Sequence, residues 1–103
     1  MNTVVKDWCL VDVNNSGFLI GSVLWGIVVD DSSCRYLTND YVCTSEIINI
    51  HYQVITTHSG SIYQIIGSGR HVTIDYDDFE LLRHGFSPDQ ILALHMSNSL
   101  TVH

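Results

Sequence analysis

The residues best suited to chemistry lie close together within residues 28–45. Asp30 and Asp31 could supply carboxylates, and Cys34 and Cys43 could bind a metal ion or form a redox pair. Structural zinc sites usually present paired ligands two to four residues apart, so that one short loop holds a tetrahedral ion. The two cysteines have eight residues between them, and the six histidines form no close pair. The sequence therefore predicts no metal site and no cofactor, and it favours two strands joined by a turn.

Nucleophilic catalysis would need a cysteine or serine beside a base, and two such pairs occur: Cys43 with His51, and Ser59 with His58. Neither pair is surrounded by the glycine pattern of a nucleophile elbow. We therefore predict that the protein is not an enzyme. A small metal-dependent or hydrolytic enzyme stays open as an alternative, which stoichiometric zinc or turnover of a substrate would reveal.

Acidic residues dominate the charge, since four basic residues stand against eleven acidic ones and the formal net charge is -7. A phosphate backbone is bound through several Lys or Arg contacts, so direct binding of DNA or RNA is not expected. The acids could instead form a negative strip that a basic protein surface accepts in place of phosphates. Helix capping and a solvated acidic face remain the alternative explanation. The acids of the predicted strip are Asp30, Asp31, Asp75, Asp77, Asp78 and Glu80.

Aromatic side chains are the second feature that bears on partners, with five tyrosines and two tryptophans in the chain. On a sheet face such residues stack nucleic-acid bases when basic residues lie among them, and here basic residues do not. We therefore expect core and interface packing, with Tyr36 and Tyr76 as candidate anchors for a protein partner.

Most of the chain before residue 75 is predicted to form strands. A first strand, WCLVDV, ends at the turn residues 14–17. The next strand, FLIGSVLWGIVVDD, is too long and too rich in β-branched residues to lie flat, and Gly21 and Gly26 stand where a bulge or bend would let it coil. A strongly curved sheet or a small barrel is therefore expected.

A second long segment with strand character spans residues 40–57. Within it, Val42, Ile48 and Ile50 have the same parity and are predicted to face the core. A hairpin follows with its tip at residues 58–60, and GSGR then leads into a last short strand.

Two short helices are predicted after the strands. DYDDFELLRHG begins with acids and ends with basic residues and Gly85, the order that a helix dipole favours. The second helix begins at SPDQ, with Ser87 as N-cap and Gln90 three residues later as in a capping box. The stripe expected to contact the sheet consists of Ile91, Leu94 and His95.

The predicted fold class is α+β: a curved, mainly antiparallel sheet of five or six strands with two short C-terminal helices. The 103 residues are predicted to form one domain, 1–103, with an ordered core at about residues 8–97 and frayed ends at residues 1–5 and 98–103. Charged residues make up 15% of the chain against roughly 25% in typical soluble domains, so a homodimer or tight complex is expected to bury apolar surface.

The expected compartment is the cytoplasm. No secretory signal is recognised at the first residues, and no apolar run is long enough to cross a bilayer. An odd number of cysteines, three, favours reduced thiols over a disulfide framework.

Three stretches of the chain resemble small uncharacterised proteins of bacterial prophages and plasmids: GSVLWGIVVDDSSCRYLTNDYVCTSEI, VITTHSGSIYQIIGSGR and DDFELLRHGFSPDQI. In those proteins a strand ending in Val-x-x-Asp and a following Arg precede a D-x-V-x-T-S strand, a hairpin from V-x-T to Y-x-hydrophobic-x-G-x-G, and a short helical end. The resemblance spans about Trp8 to Leu94 and consists of glycines, turns and core positions, without a catalytic residue. It implies a compact β-rich domain from a mobile element, in a class that includes anti-CRISPR proteins and acts inside a bacterial host cell.

The expected function is therefore non-enzymatic inhibition of a nucleic-acid-handling host defence complex, by an acidic protein that occupies a basic, nucleic-acid-binding surface. A CRISPR–Cas subunit is the specific candidate for the partner. An immunity protein or antitoxin that neutralises a toxin by direct binding is an open alternative, because it too would be small and acidic. A neighbouring toxin gene, or rescue from one toxin, would identify that alternative.

Overall fold

The structure is a computed structural model that describes residues 2–101, with the side chains of residues 3–96. It is a sheet-rich α+β fold in which seven strands precede a turn of 3-10 helix at Tyr76–Asp78 and two helices. The strands are β1 Asn2–Asn15, β2 Phe18–Asp31, β3 Tyr41–Cys43, β4 Ile47–His51, β5 Val54–Thr57, β6 Ile62–Ile65 and β7 Arg70–Asp75. The helices are α1 Phe79–Arg83 and α2 Pro88–Thr101.

Strand β1 organises the sheet, whose order is β3-β2-β1-β6-β5-β4 with β7 also paired to β1. One edge of β1 pairs antiparallel with β2 over nearly its whole length. Its other edge pairs parallel with β6 through residues 2–5 and with β7 through residues 9–14. The sheet has four antiparallel ladders, β1–β2, β2–β3, β4–β5 and β5–β6, against these two parallel ones. It is therefore mainly antiparallel.

The predicted strand count and barrel are wrong, because the structure has seven strands in a sheet that stays open and is not curled into a barrel. The two glycines do adjoin irregularities. Gly26 lies where the β1–β2 register shifts between Lys6 and Cys9, and Gly21 pairs with Val13 beside another shift. The bulges therefore occur where the sequence predicted them, but they do not lead to closure.

The ordered core begins earlier than predicted. Thr3 and Val5 have 0% exposure, although residues 1–5 were expected to fray. These residues are held by β2 on one side and by β6 on the other. At the other end, α2 continues to Thr101, beyond the predicted limit at residue 97. Met1, Val102 and His103 lie outside the described residues.

The segment at residues 40–57 forms three strands, β3, β4 and β5, rather than one. The prediction that Val42, Ile48 and Ile50 all face the core is therefore wrong. Val42 is buried, but Ile48 and Ile50 are 61% and 48% exposed. The segment is broken after β3 and again at Tyr52, which adopts a left-handed φ of 57° in the turn between β4 and β5. Neither Tyr52 nor Gln53 is a typical turn residue, so the sequence carries no local signal for this turn.

Two apolar clusters hold the fold together. The helix-side cluster joins β1, β2 and β7 to the two helices and contains the buried Trp25, Leu82 and Ile91. The second cluster joins β1, β2 and β3 to the β5–β6 hairpin and contains Leu24 and Ile55. The hairpin matches the prediction, with its turn at residues 58–61. The two clusters thus tie both the helices and the β5–β6 hairpin to β1 and β2.

The predicted start of α2 agrees with the structure, but its predicted buried face agrees only in part. The backbone N–H of Gln90 donates to Ser87 Oγ at 3.1 Å, and the N–H of Ser87 donates to Gln90 Oε1 at 2.8 Å, which is the predicted capping box. Only Ile91 of the predicted stripe is buried, whereas Leu94 and His95 are exposed. Neither described helix is long and apolar enough to span a bilayer.

Candidate protein-binding surface

The acids of the predicted strip lie at opposite ends of β1. Asp30 pairs in register with Val4, whereas Asp75 pairs with Asn14. Asn14 follows Val4 by ten positions along the strand, which corresponds to about 33 Å. The acids therefore form two separate groups rather than one continuous strip.

Asp31 belongs to the first group and organises the turn that follows β2. Its carboxylate accepts five hydrogen bonds, from the hydroxyl of Thr3, from the hydroxyl and N–H of Ser33, and from the N–H groups of Arg35 and Tyr36. Burial raises the pKa of Asp31, but the hydrogen bonds from Ser33, Tyr36 and Thr3 outweigh burial and hold it well below its usual range. This carboxylate is thus committed to the loop.

Tyr36 is also part of this turn. Its ring is half-buried against the second cluster, and the Arg35 guanidinium lies 5.3 Å from the ring centroid. Burial and a hydrogen bond with the Tyr36 side chain raise the pKa of Tyr63 to about 12. Tyr36 therefore contributes to packing, and Asp30, exposed beside it on β2, is the accessible acid of this end.

The second group surrounds the end of β7 and contains two kinds of acid. Asp78 lies 2.8 Å from His95 Nε2 on α2 and its side chain is 15% exposed. Glu80 contacts Arg83 at 3.0 Å and His84 at 3.4 Å. Asp78 and Glu80 therefore each lie within ion-pair distance of Arg or His side chains of the same chain.

Asp75 and Asp77, by contrast, are exposed and flank the exposed Tyr76. Asp75 caps the 3-10 helix without a side-chain hydrogen bond. Among residues 3–96, whose side chains are described, neither carboxylate has an ion-pair partner. The Tyr76 ring stacks on Phe79 with centroids 6.4 Å apart, which holds it at the surface. We call Asp75, Tyr76 and Asp77 the acidic corner.

An apolar groove adjoins the acidic corner. It has a volume of about 520 Å³ and lies between the β1–β2 hairpin, the β3–β4 connection and α1, with Tyr76 and Ile20 among its lining residues. Asn14 pairs with Leu19 on one side and with Asp75 on the other, so Leu19 lies two strands, about 9.6 Å, from Asp75. Charge and exposed apolar surface thus meet at one end of the sheet.

The sequence did not identify the exposed residues of this hairpin tip. Phe18, Leu19 and Ile20 are 75%, 61% and 49% exposed, although they were predicted only as the start of a strand. The signal that could have found them is the turn at residues 14–17, because three large apolar residues directly after a hairpin turn have little sheet to cover them.

Among the described side chains no hydrogen bond joins Cys43 to His51 or Ser59 to His58, the two pairs considered for nucleophilic chemistry. Cys34 is exposed in the loop, and Cys43 lies in β3, where burial raises its pKa to about 11. The Ser59 hydroxyl contacts the hydroxyls of Ser45, Thr57 and Ser61. In the described part of the chain, no group of three or more His, Cys, Asp or Glu side chains could hold a metal ion.

Comparison of the chain with protein-family models, with curated proteins and with solved structures finds no match. The residues that bear on function are therefore those selected by their geometry. The acidic corner, Asp75 to Asp77, and the hairpin tip, Phe18 to Ile20, combine charge, an exposed aromatic ring and uncovered apolar surface.

Proposed function

We propose that the protein is a non-enzymatic binding protein whose acidic corner occupies a basic, nucleic-acid-binding surface of a partner. The observation that carries this proposal is the pair of exposed carboxylates, Asp75 and Asp77, on either side of the exposed Tyr76. Each carboxylate offers two acceptor oxygens to Arg or Lys side chains that would otherwise contact phosphate. The corner therefore presents the charge of a phosphate backbone together with a ring that can enter a pocket.

Charge complementarity at such a surface acts mainly on association rate and specificity. The net charge of -7 steers the chain towards a basic partner, and salt weakens the attraction between solvent-exposed groups. Tyr76 supplies the apolar part of the contact, since tyrosine is enriched among the residues that dominate binding energy. Its stacking on Phe79 lowers the entropy that it loses on binding.

The resemblance to proteins of prophages and plasmids supports a host defence complex as the target. On this proposal the protein is an inhibitor of the anti-CRISPR type that acts in the bacterial cytoplasm, and the partner is a CRISPR–Cas subunit with a basic nucleic-acid channel. Inhibition needs no cofactor, because occupying the channel excludes the nucleic acid.

Two variants with the same charge change test the proposal. Asp77→Lys reverses a charge in the acidic corner, and Asp30→Lys reverses an exposed charge at the other end of the sheet. Tagged wild-type protein and both variants are used to capture partners from a host lysate, which mass spectrometry identifies. We expect wild type and Asp30→Lys to capture a nucleic-acid-binding defence subunit, and Asp77→Lys to lose about tenfold or more in affinity.

Salt and nucleic acid provide the decisive controls. The affinity of wild type should fall as salt rises, and the target nucleic acid should compete for the captured subunit. Equal capture by Asp77→Lys and wild type at low and at high salt would contradict the electrostatic mechanism. Capture of a toxin instead would identify the immunity-protein alternative.

A further inference from the structure

The outer edge of β2 has no strand partner over its first part. One edge of β2 pairs with β1 along almost the whole strand, but the other pairs with β3 only from Trp25 to Ile27. The chain that follows β3 leaves β2 at Thr44, whose N–H donates to the Leu24 carbonyl at 3.0 Å and whose hydroxyl accepts from the Leu24 N–H at 2.9 Å. Among the described strands, none pairs with residues 18–23 on this edge.

The main chain of Ser22 points to this open edge. In an antiparallel strand the N–H and C=O groups of alternate residues point to the same neighbouring strand. Leu24 directs both groups to the β3 side, and the β1–β2 register is regular from Gly21 to Leu24. Ser22, two residues before Leu24, therefore directs its N–H and C=O to the same side, and the register shift that leaves Ile20 unpaired lies beyond this stretch. An edge of this kind is a template for another strand.

The apolar groove beside the acidic corner runs along the open edge. Ser22 lines this groove together with its neighbours Gly21 and Val23. The Ser22 side chain points to the opposite face of the sheet, where its hydroxyl donates to the Asp12 carboxylate. Ser22 therefore meets the groove through its main chain. An extended segment that lies in the groove is in position to add a strand to β2, which is a recurring mode of peptide recognition.

The charge of the groove indicates which side chain such a segment carries. Glu46 lies in the groove against Gly21, where an added Cβ atom would come within 2.9 Å of the Glu46 Oε2 atom. The Glu46 carboxylate has no ion-pair partner among the side chains of residues 3–96. The basic residue that lines the groove, Arg83, is already paired with Glu80 at 3.0 Å. The available charge is therefore negative, and a Lys or Arg side chain complements it.

We propose that the partner inserts an extended segment into this groove, where it pairs with the main chain of Ser22 and directs a Lys or Arg side chain to Glu46. The proposal rests on the proposed function, since it names the part of the partner that docks beside the acidic corner. Tyr76 lines the groove and belongs to that corner, so one partner reaches both. A second copy is disfavoured as the occupant, because both copies carry a net charge of -7.

The first test removes the main-chain donor of Ser22. Ser22→Pro removes the N–H, and proline is tolerated in a strand where that group faces an open edge. Ser22→Ala, the matched control, removes the hydroxyl that contacts Asp12 but keeps the N–H. Titration with the subunit captured by wild type should show about tenfold or more weaker binding by Ser22→Pro than by Ser22→Ala. Equal binding by the two variants overturns the proposal, and circular dichroism checks that both are folded.

Amide hydrogen exchange, followed by NMR, tests the same edge without a variant. In the free protein the Ser22 amide should exchange fast, whereas the Val23 amide, which faces β1, and the Leu24 amide, which donates to Thr44, should exchange slowly. Binding of the captured subunit should slow exchange at Ser22 about tenfold or more. A Ser22 amide that is protected in the free protein, or is unchanged on binding, overturns the proposal.

Charge reversal tests the role of Glu46. Glu46→Lys and Asp30→Lys make the same charge change, but only the first lies in the groove. Glu46→Lys should weaken binding of the captured subunit about tenfold or more, and Asp30→Lys should not. If Asp77→Lys weakens capture while Glu46→Lys and Ser22→Pro bind like wild type, the inserted segment is wrong and the proposed function stands.

A displayed library of random heptapeptides is a probe that does not depend on the captured subunit. Selection on wild type should enrich peptides that contain Lys or Arg, and these peptides should bind Glu46→Lys and Ser22→Pro about tenfold or more weakly. No enrichment, or enriched peptides that bind both variants like wild type, overturns the proposal. Sedimentation of the protein alone addresses the other occupant, since a dimer that is lost in Ser22→Pro would assign the groove to a second copy and overturn the proposal.

Discussion

The two ends of the sheet use the same residue type for opposite purposes. At one end, Asp31 accepts five hydrogen bonds and fixes the loop after β2. At the other end, Asp75 and Asp77 are exposed and have no ion-pair partner among the described side chains. The count of acids in a sequence therefore overstates the charge available to a partner. What decides the role of each carboxylate is how many donors the fold already directs at it.

The tyrosines repeat this contrast. Tyr36 is packed against the second cluster beside Asp31, whereas Tyr76 is 53% exposed between two free carboxylates. The Tyr36 ring therefore contributes to packing, whereas the Tyr76 ring is accessible to a partner. The contacts of Asp31 indicate a structural role for that end, and the binding role proposed above belongs to the Asp75 end; the two roles can be tested separately.

The largest expected effect comes from removing the carboxylate that holds the loop. Asp31→Ala leaves the N–H groups of Ser33, Arg35 and Tyr36 without their acceptor and should lower the free energy of unfolding by about 3 kcal/mol. Asp30→Ala, the neighbouring exposed control, should change it by about 0.5 kcal/mol or less. Urea unfolding measures both variants. Equal losses in the two would mean that Asp31 is not a structural residue.

A smaller effect is expected from the two tyrosines. Tyr36→Ala removes a half-buried ring from the second cluster and should lower the free energy of unfolding by about 2 kcal/mol. Tyr76→Ala should cost about 1 kcal/mol or less in stability, while weakening partner binding about tenfold or more. Urea unfolding measures the free energy of unfolding of each variant, and titration with the captured partner measures its binding affinity. If Tyr36→Ala weakened binding more than Tyr76→Ala, the assignment of the two ends would be reversed.

The smallest effect is the pH dependence of the Asp31 contribution. Because the folded pKa of Asp31 is lowered, the folded state binds fewer protons than the unfolded state, whose Asp pKa is about 3.9. The stabilisation is therefore fully present above about pH 5 and is lost as the pH falls through the folded pKa. The gap in unfolding free energy between wild type and Asp31→Asn should shrink on acidification. A gap that widened instead would contradict the lowered pKa.

Local signals were the predictable part of the fold. The capping box of Ser87 and Gln90 and the Ser59-Gly60 hairpin turn depend on neighbours within a few residues, and the structure has both. The strand assignment of residues 2–5 was missed because it depends on β6, about sixty residues later in the chain. The Tyr52 turn was missed because its residues have no turn preference.

Only part of the candidate surface was predictable from the sequence, because the residues of the hairpin tip and the separation of the acids were not anticipated. Asp75, Tyr76 and Asp77, which the sequence analysis named as candidates for partner binding, are exposed in the structure, as charged side chains usually are. Their separation from Asp30 follows from the register of β1 with β2 and β7. That register is set by long-range pairing, which no local pattern encodes.

The central position of β1 has a consequence for how the chain reaches its native state. The β1–β2 hairpin closes across a short turn and can form early, because its contacts are local. The parallel ladders must wait until β6 and β7 have been synthesised, and until then one edge of β1 is uncovered. We expect pulse-labelling hydrogen exchange to show protection of β2 amides before those of β6. Residues 2–14 would then be the part of the nascent chain that most needs protection from aggregation.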